Sequence, residues 1–116
     1  MRYVLVAVAV VVLSGSAALA AGRLVESTPS DGAFVTAPTR IVLRFDGRIN
    51  THSSTVTLIG GPRKTKILLI TPLASDRPDV LIYSLPQLES GRYRVEWKAL
   101  SVDGHLTDGS LTFQVD

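Results

Sequence analysis

One short segment places two metal-capable side chains at a useful spacing: Ser101-Val102-Asp103-Gly104-His105. Asp103 and His105 are two apart, and in an extended or turning backbone side chains at that interval can point the same way. A carboxylate oxygen beside an imidazole nitrogen suits a borderline divalent ion such as copper(II) or zinc. The same five residues also read as an Asp-Gly hairpin turn with an exposed histidine beside it, and the segment alone does not choose between the two. Other chemistries find fewer parts. Cysteine is absent and Met1 is the only methionine, which removes thiolate sites and the soft thioether ligand that copper(I) favours. Both histidines, His52 and His105, fall on predicted loops without the strand-turn-helix context of a nucleophile elbow, so no hydrolase triad assembles. Gly60-Gly61-Pro62 has no helix after it and cannot cradle a phosphate. Glu26, Glu89 and Glu96 sit in different elements, and nothing pairs two of them as acid and base.

The elements that must position Asp103 and His105 are strands. From residue 21 onward the chain breaks into short runs of alternating polarity separated by Gly, Pro, Asp and Ser, the pattern of an antiparallel sandwich. Strands are predicted at Leu24 to Ser27, Arg40 to Phe45, Ser54 to Ile59, Lys66 to Ile70, Val80 to Ser84, Gly91 to Ala99 and Gly109 to Val115. Tyr93, Val95 and Trp97 share one face of their strand while Arg92, Arg94, Glu96 and Lys98 share the other. Ile41, Leu43 and Phe45 repeat the pattern early in the chain, and Leu111, Phe113 and Val115 repeat it late, enough to fill the inner layers of two sheets. The fold class is therefore all-β: an immunoglobulin-like or cupredoxin-like Greek-key sandwich of about seven strands. The segment 101–105 becomes the turn between the last two. Arg63-Lys64 and Lys66, the one basic cluster, are placed on a solvated turn.

The first twenty residues read differently. Arg2 precedes the apolar run Val4 to Leu13, and Ser14-Gly15-Ser16 leads to Ala18-Leu19-Ala20, a small-x-small peptidase site. Residues 1–20 are accordingly read as a signal peptide and 21–116 as one domain with Ala21 as its first residue. An uncleaved anchor is the competing reading, since Val4 to Ala21 is almost long enough to span a bilayer; the Ala-rich end suits cleavage better, with no stable membrane insertion afterwards. The 116 residues carry 12 Lys and Arg against 10 Asp and Glu. The leader holds only Arg2, so 11 basic residues face 10 acidic ones on the mature chain, a net +1. That balance excludes a nucleic-acid partner. Without cysteine an exported domain has no disulfides, and packing alone must hold it. The chain ends directly after a predicted strand, as expected of a free-standing module.

Spread across the mature chain are pieces whose order and spacing resemble the CopC family of periplasmic copper-binding proteins. Leu24-Val25-Glu26-Ser27-Thr28-Pro29-Ser30-Asp31-Gly32-Ala33 is similar to the family's opening strand and turn, followed by Ala37-Pro38 and Ile41-Val42-Leu43-Arg44-Phe45. Leu88 through His105 resembles the closing hairpin, and Gly109 through Val115 the last strand. The resemblance implies a β-barrel or sandwich that holds copper(II) in the periplasm for copper tolerance or delivery. It also implies a ligand set of an N-terminal histidine, bound through amine and imidazole, together with an aspartate and a histidine in the closing hairpin. Asp103 and His105 match the latter two, and the position of the first falls on Ala21. The imidazole is missing there, which leaves amine, carboxylate and one imidazole, with water in the fourth position of a tetragonal site.

The expectation is thus a periplasmic copper(II) carrier or buffer in copper resistance and homeostasis, not an enzyme, holding the ion weakly and handing it to a partner such as a membrane copper transporter. Histidine-brace oxidation and a copper(I) site are disfavoured by the absent histidine and methionines. His52 is expected toward the pole opposite Asp103 and His105, as a surface histidine. A second reading keeps the scaffold and gives up the metal, leaving a sandwich module that binds another envelope protein.

Overall fold

A computed structural model describes residues 23–70 and 72–116, so the reading of residues 1–20 as a leader, and of Ala21 as the first mature residue, lies outside the described part. Among the described residues eight strands form: β1 (Leu24–Thr28), β2 (Ala33–Val35), β3 (Arg40–Phe45), β4 (Thr55–Gly60), β5 (Thr65–Leu69), β6 (Val80–Ser84), β7 (Gly91–Leu100) and β8 (Leu106–Val115), with a turn of 3₁₀ helix at Thr51–Ser53. They make two layers, a three-stranded sheet in the order β1-β3-β6 and a five-stranded sheet in the order β2-β8-β7-β4-β5. The chain passes repeatedly between the layers, and only the β4–β5 and β7–β8 hairpins stay within one.

Strict alternation builds both inner faces. Ile41, Leu43 and Phe45 of β3 and Leu81 and Tyr83 of β6 are buried against Val56 and Leu58 of β4, Tyr93, Val95, Trp97 and Ala99 of β7, and Leu111, Phe113 and Val115 of β8. The Tyr93 and Phe113 rings stack with centroids 5.7 Å apart. The Tyr93 hydroxyl donates to the Glu89 carbonyl at 2.7 Å, so a large apolar ring is buried without stranding its polar end.

In its strands the structure departs from the sequence reading at β2, at the start of β8 and in the basic cluster. Strand β2 adds an eighth element. It has three residues, too few to show a period, and it pairs in parallel with β8, Ala33 opposite Phe113 and Val35 opposite Val115, so the sandwich is not wholly antiparallel. Strand β8 begins at Leu106, not Gly109: Lys98 faces Asp108 and Leu100 faces Leu106, so the ladder runs through the glycine. The reason is packing, for a Cβ on Gly109 would stand 2.5 Å from Cζ2 of Trp97; the glycine makes room for the indole. Lys66 lies within β5, opposite Ile59, as the strand reading of Lys66 to Ile70 has it and against its placing with the basic cluster on a turn, which Arg63 and Lys64 alone of that cluster occupy.

Pairing registers decide what meets at each end of the sandwich. Leu24 pairs with Phe45, Arg44 with Val80, Thr55 with Lys98 and Leu100 with Leu106. One pole therefore gathers the start of β1, the end of β3, the starts of β4, β6 and β8, and the end of β7.

Candidate metal centre

At that pole the chain from Ser101 to His105 closes the β7–β8 hairpin. Ser101 N donates to the His105 carbonyl at 2.8 Å and Gly104 N to the Ser101 carbonyl at 3.0 Å. His105 N donates to Ser101 Oγ at 3.1 Å. Gly104 takes φ +94° with open space around its Cα, so glycine is required here by backbone conformation and not by crowding. The loop is tied to its neighbour across the sandwich: Ile49 bridges Ser101, Asn50 N donates to the Leu100 carbonyl at 2.8 Å, and Val102 N donates to the Arg48 carbonyl at 3.1 Å.

This frame brings the two sequence-predicted residues together. His105 Nδ1 lies 3.1 Å from Asp103 Oδ1, and the two side chains are 63% and 55% exposed. An ion pair so open to water adds little stability; its value is orientation. With Nδ1–H donated to the carboxylate, the imidazole keeps its lone pair on Nε2, the arrangement in which a carboxylate fixes the tautomer of a metal-binding histidine. Asp103 Oδ2 remains as an oxygen donor. The Ser101 hydroxyl, which donates to Asp103 Oδ1, and after it the His105 ring N–H, hold the Asp103 carboxyl below the usual carboxylate range. A lowered folded-state value means that these contacts stabilise the hairpin in full above the ordinary carboxylate range, and that the contribution fades as pH falls through the folded value. Following the Asp103 carboxyl carbon by NMR should give a midpoint below that of aspartate in an unstructured peptide, and Ser101→Ala should move it upward. A midpoint at the peptide value would contradict the hydrogen-bonded geometry.

His52 is a correction. It sits at the same pole as Asp103 and His105, not the opposite one, because the segment from Ile49 to Ser54 is stitched to the end of β7: Leu100 N donates to Ser54 Oγ at 3.0 Å, next to the Ile49–Ser101 bridge. Asn50 caps the 3₁₀ turn by accepting from His52 N at 3.1 Å. His52 nevertheless belongs to a separate recess, walled by Leu68, Ile70, Pro72 and Tyr83, which neither Asp103 nor His105 lines. Among the described residues no three His, Asp or Glu side chains converge to hold a metal. A wider groove on the outer face of the five-stranded sheet, lined by Lys66, Arg94, Glu96, Lys98 and Asp108, is open and holds no member of the Asp103–His105 pair. Glu26 and Glu96 are each engaged by an arginine, Arg44 at 3.0 Å and Arg94 at 3.1 Å.

Two residues at this pole escaped the sequence reading. Ser54 and Ser101 are the buried polar residues of the described chain, and both support the loops just described. The signal lay in the alternation: Tyr93, Val95, Trp97 and Ala99 point inward, and Ser101 is the next position of that series; Ser54 likewise precedes Val56 and Leu58. A serine at an inward position where a strand runs into a loop must find partners inside the fold.

The described chain also enters at this pole. Arg23 N donates to Asp46 Oδ1 at 2.8 Å and Asp46 N returns a bond to the Arg23 carbonyl at 2.9 Å, close in sequence to the Arg48 carbonyl that holds Val102.

Fold and site together define a two-sheet β-sandwich with a preformed carboxylate–imidazole pair at one pole. The sequence model of the CopC domain matches residues 24–116, and the chain belongs to the CopC family. It is similar to copper resistance protein C of Pseudomonas syringae pv. tomato, 31% identical over 99 residues that cover 80% of this chain and 79% of that protein. Among solved structures it resembles CopC from Methylosinus trichosporium OB3b, with TM-score 0.73 and 31% identity over 82% of this chain and 93% of that one. It also resembles PcoC from Escherichia coli, a methionine-rich copper resistance protein, with TM-score 0.71 and 28% identity over 84% of this chain and all of that one.

Proposed function

We propose that this chain is an exported copper(II)-binding protein of copper resistance that carries or buffers the ion in the periplasm and catalyses no reaction of its own. The observation that carries this reading is the 3.1 Å contact between Asp103 Oδ1 and His105 Nδ1, which presets an imidazole nitrogen and a carboxylate oxygen side by side on an exposed hairpin. Borderline nitrogen and oxygen donors suit copper(II), and similar proteins are named for copper resistance. A third donor in this reading is the amine of Ala21, freed when a leader of residues 1–20 is removed. The attachment of Arg23 to Asp46 at the same pole favours it. With one imidazole where the family resemblance implies two, binding is weaker and more easily competed, as suits a carrier that must release its ion to a membrane copper transporter.

The test is to produce the complete chain in a Gram-negative host and isolate it from the periplasm. Its intact mass and its copper content after exposure to copper(II) are then measured on one sample. The mass is expected to begin at Ala21, with copper retained in wild type and reduced in His105→Ala. A retained leader, or copper no higher than in a peptide control, would contradict the proposal.

A further inference from the structure

We propose that Ser101 is the positioning residue of this metal centre: its hydroxyl fixes the Asp103 carboxylate, and through it the tautomer of His105 that leaves Nε2 free. The inference rests on the copper reading for its purpose but on separate atoms for its argument. Ser101 is 4% exposed at the end of β7, fixed by the bridge to Ile49, so its Oγ is a rigid reference point between two exposed side chains. A serine hydroxyl has one proton and two lone pairs. One lone pair accepts from His105 N at 3.1 Å. The proton has two acceptors in reach, Asp103 Oδ1 and, at 3.2 Å, the His105 carbonyl. The carboxylate takes it, because a charged acceptor makes the stronger bond and the carbonyl is already served by Ser101 N at 2.8 Å.

Asp103 Oδ1 then receives two donors, the serine hydroxyl and His105 Nδ1–H. That pins the rotamer of an otherwise open side chain, turns Oδ2 away as the free donor, and gives the imidazole a fixed acceptor on one nitrogen only. Without the hydroxyl, Asp103 is held by nothing but His105, itself on a loop and more than half exposed. Neither side chain would then have a rigid anchor, and the entropy of ordering both would fall on the metal.

The experiment compares wild type with Ser101→Ala, Ser101→Cys and Ser101→Thr, each checked for wild-type far-UV circular dichroism. Cysteine nearly keeps the shape and loses most donor strength, so it serves if the alanine variant fails to fold; threonine keeps the hydroxyl. In the metal-free proteins, at a pH where the imidazole is neutral, ring ¹⁵N–¹H spectra report the His105 tautomer. Wild type and Ser101→Thr are expected to hold the proton on Nδ1, while the alanine and cysteine variants shift to a mixture of tautomers. Affinity for copper(II) should fall about 10–100-fold in Ser101→Ala, the range for loss of a partner that orients a ligand, and recover with threonine; Ser101→Cys is read by its tautomer alone, because a thiol beside the pair would itself bind or reduce copper(II). An unchanged tautomer in the alanine and cysteine variants overturns the role of Ser101, even if copper binds normally. A shifted tautomer with no copper bound by any form supports the role of Ser101 and overturns the copper reading instead.

Discussion

His105→Ala is expected to weaken copper(II) binding by more than the ~10–100-fold typical of losing an outer partner of a metal ligand, because it removes the only imidazole of the centre. Asp103 and a terminal amine would be left to bind as a simple peptide does. His52→Ala is the matched control. It deletes the other histidine of the chain, at the same pole but in a recess walled by Leu68, Ile70, Pro72 and Tyr83, and should leave the affinity unchanged. Competition against a chromogenic copper(II) chelator would measure both. Equal losses in the two variants would mean that the ion sits between the recess and the hairpin; an unaffected His105→Ala would remove the hairpin from the site altogether.

The largest effect on stability is expected at Trp97. The indole is 8% exposed and fills the space above Gly109, so Trp97→Ala should lower the free energy of unfolding by about 3–5 kcal/mol. Gly109→Ala attacks the same contact from the other strand, setting a methyl 2.5 Å from the ring, and should cost about 1–3 kcal/mol through overpacking. The two changes are in direct contact and must couple. In the Trp97→Ala background the added methyl has room, and the double variant is expected to be less destabilised than the sum of the single ones. Urea denaturation of the four proteins, followed by circular dichroism, would show this; strict additivity would mean that the ring does not rest on the glycine.

Trp97 illustrates what the sequence makes legible. The alternation of Tyr93, Val95 and Trp97 against Arg92, Arg94, Glu96 and Lys98 marks a strand with one buried face. The same logic at Ile41, Leu43 and Phe45 and at Leu111, Phe113 and Val115 supplies the core that the structure contains. Strand β2 was not legible because three residues carry no period and their parallel partner lies some eighty residues away. Gly109 read as a strand start because glycine weakens a strand on average, whereas here an indole from the neighbouring strand occupies the missing side chain's place.

For the site, the spacing of Asp103 and His105 was enough to suggest that they meet, and they do. The position of His52 was not, because the end of a sandwich to which a loop belongs is decided by long-range register: Ile49 meets Ser101 across 52 residues. Ser101 stayed hidden for a related reason. In sequence it is one serine among many, and its importance appears only when the inward series of β7 is continued one step past Ala99 to a polar side chain.

The account stands on copper(II) binding at this one pole through a single imidazole. Pulsed EPR of the mature chain loaded with one equivalent of copper(II) tests that directly, because the remote nitrogen of a coordinated imidazole modulates the echo. The prediction is a tetragonal copper(II) spectrum with the modulation of one imidazole, abolished in His105→Ala and retained in His52→Ala. Modulation from two imidazoles, modulation that survives His105→Ala, or a spectrum indistinguishable from copper(II) in buffer would contradict it.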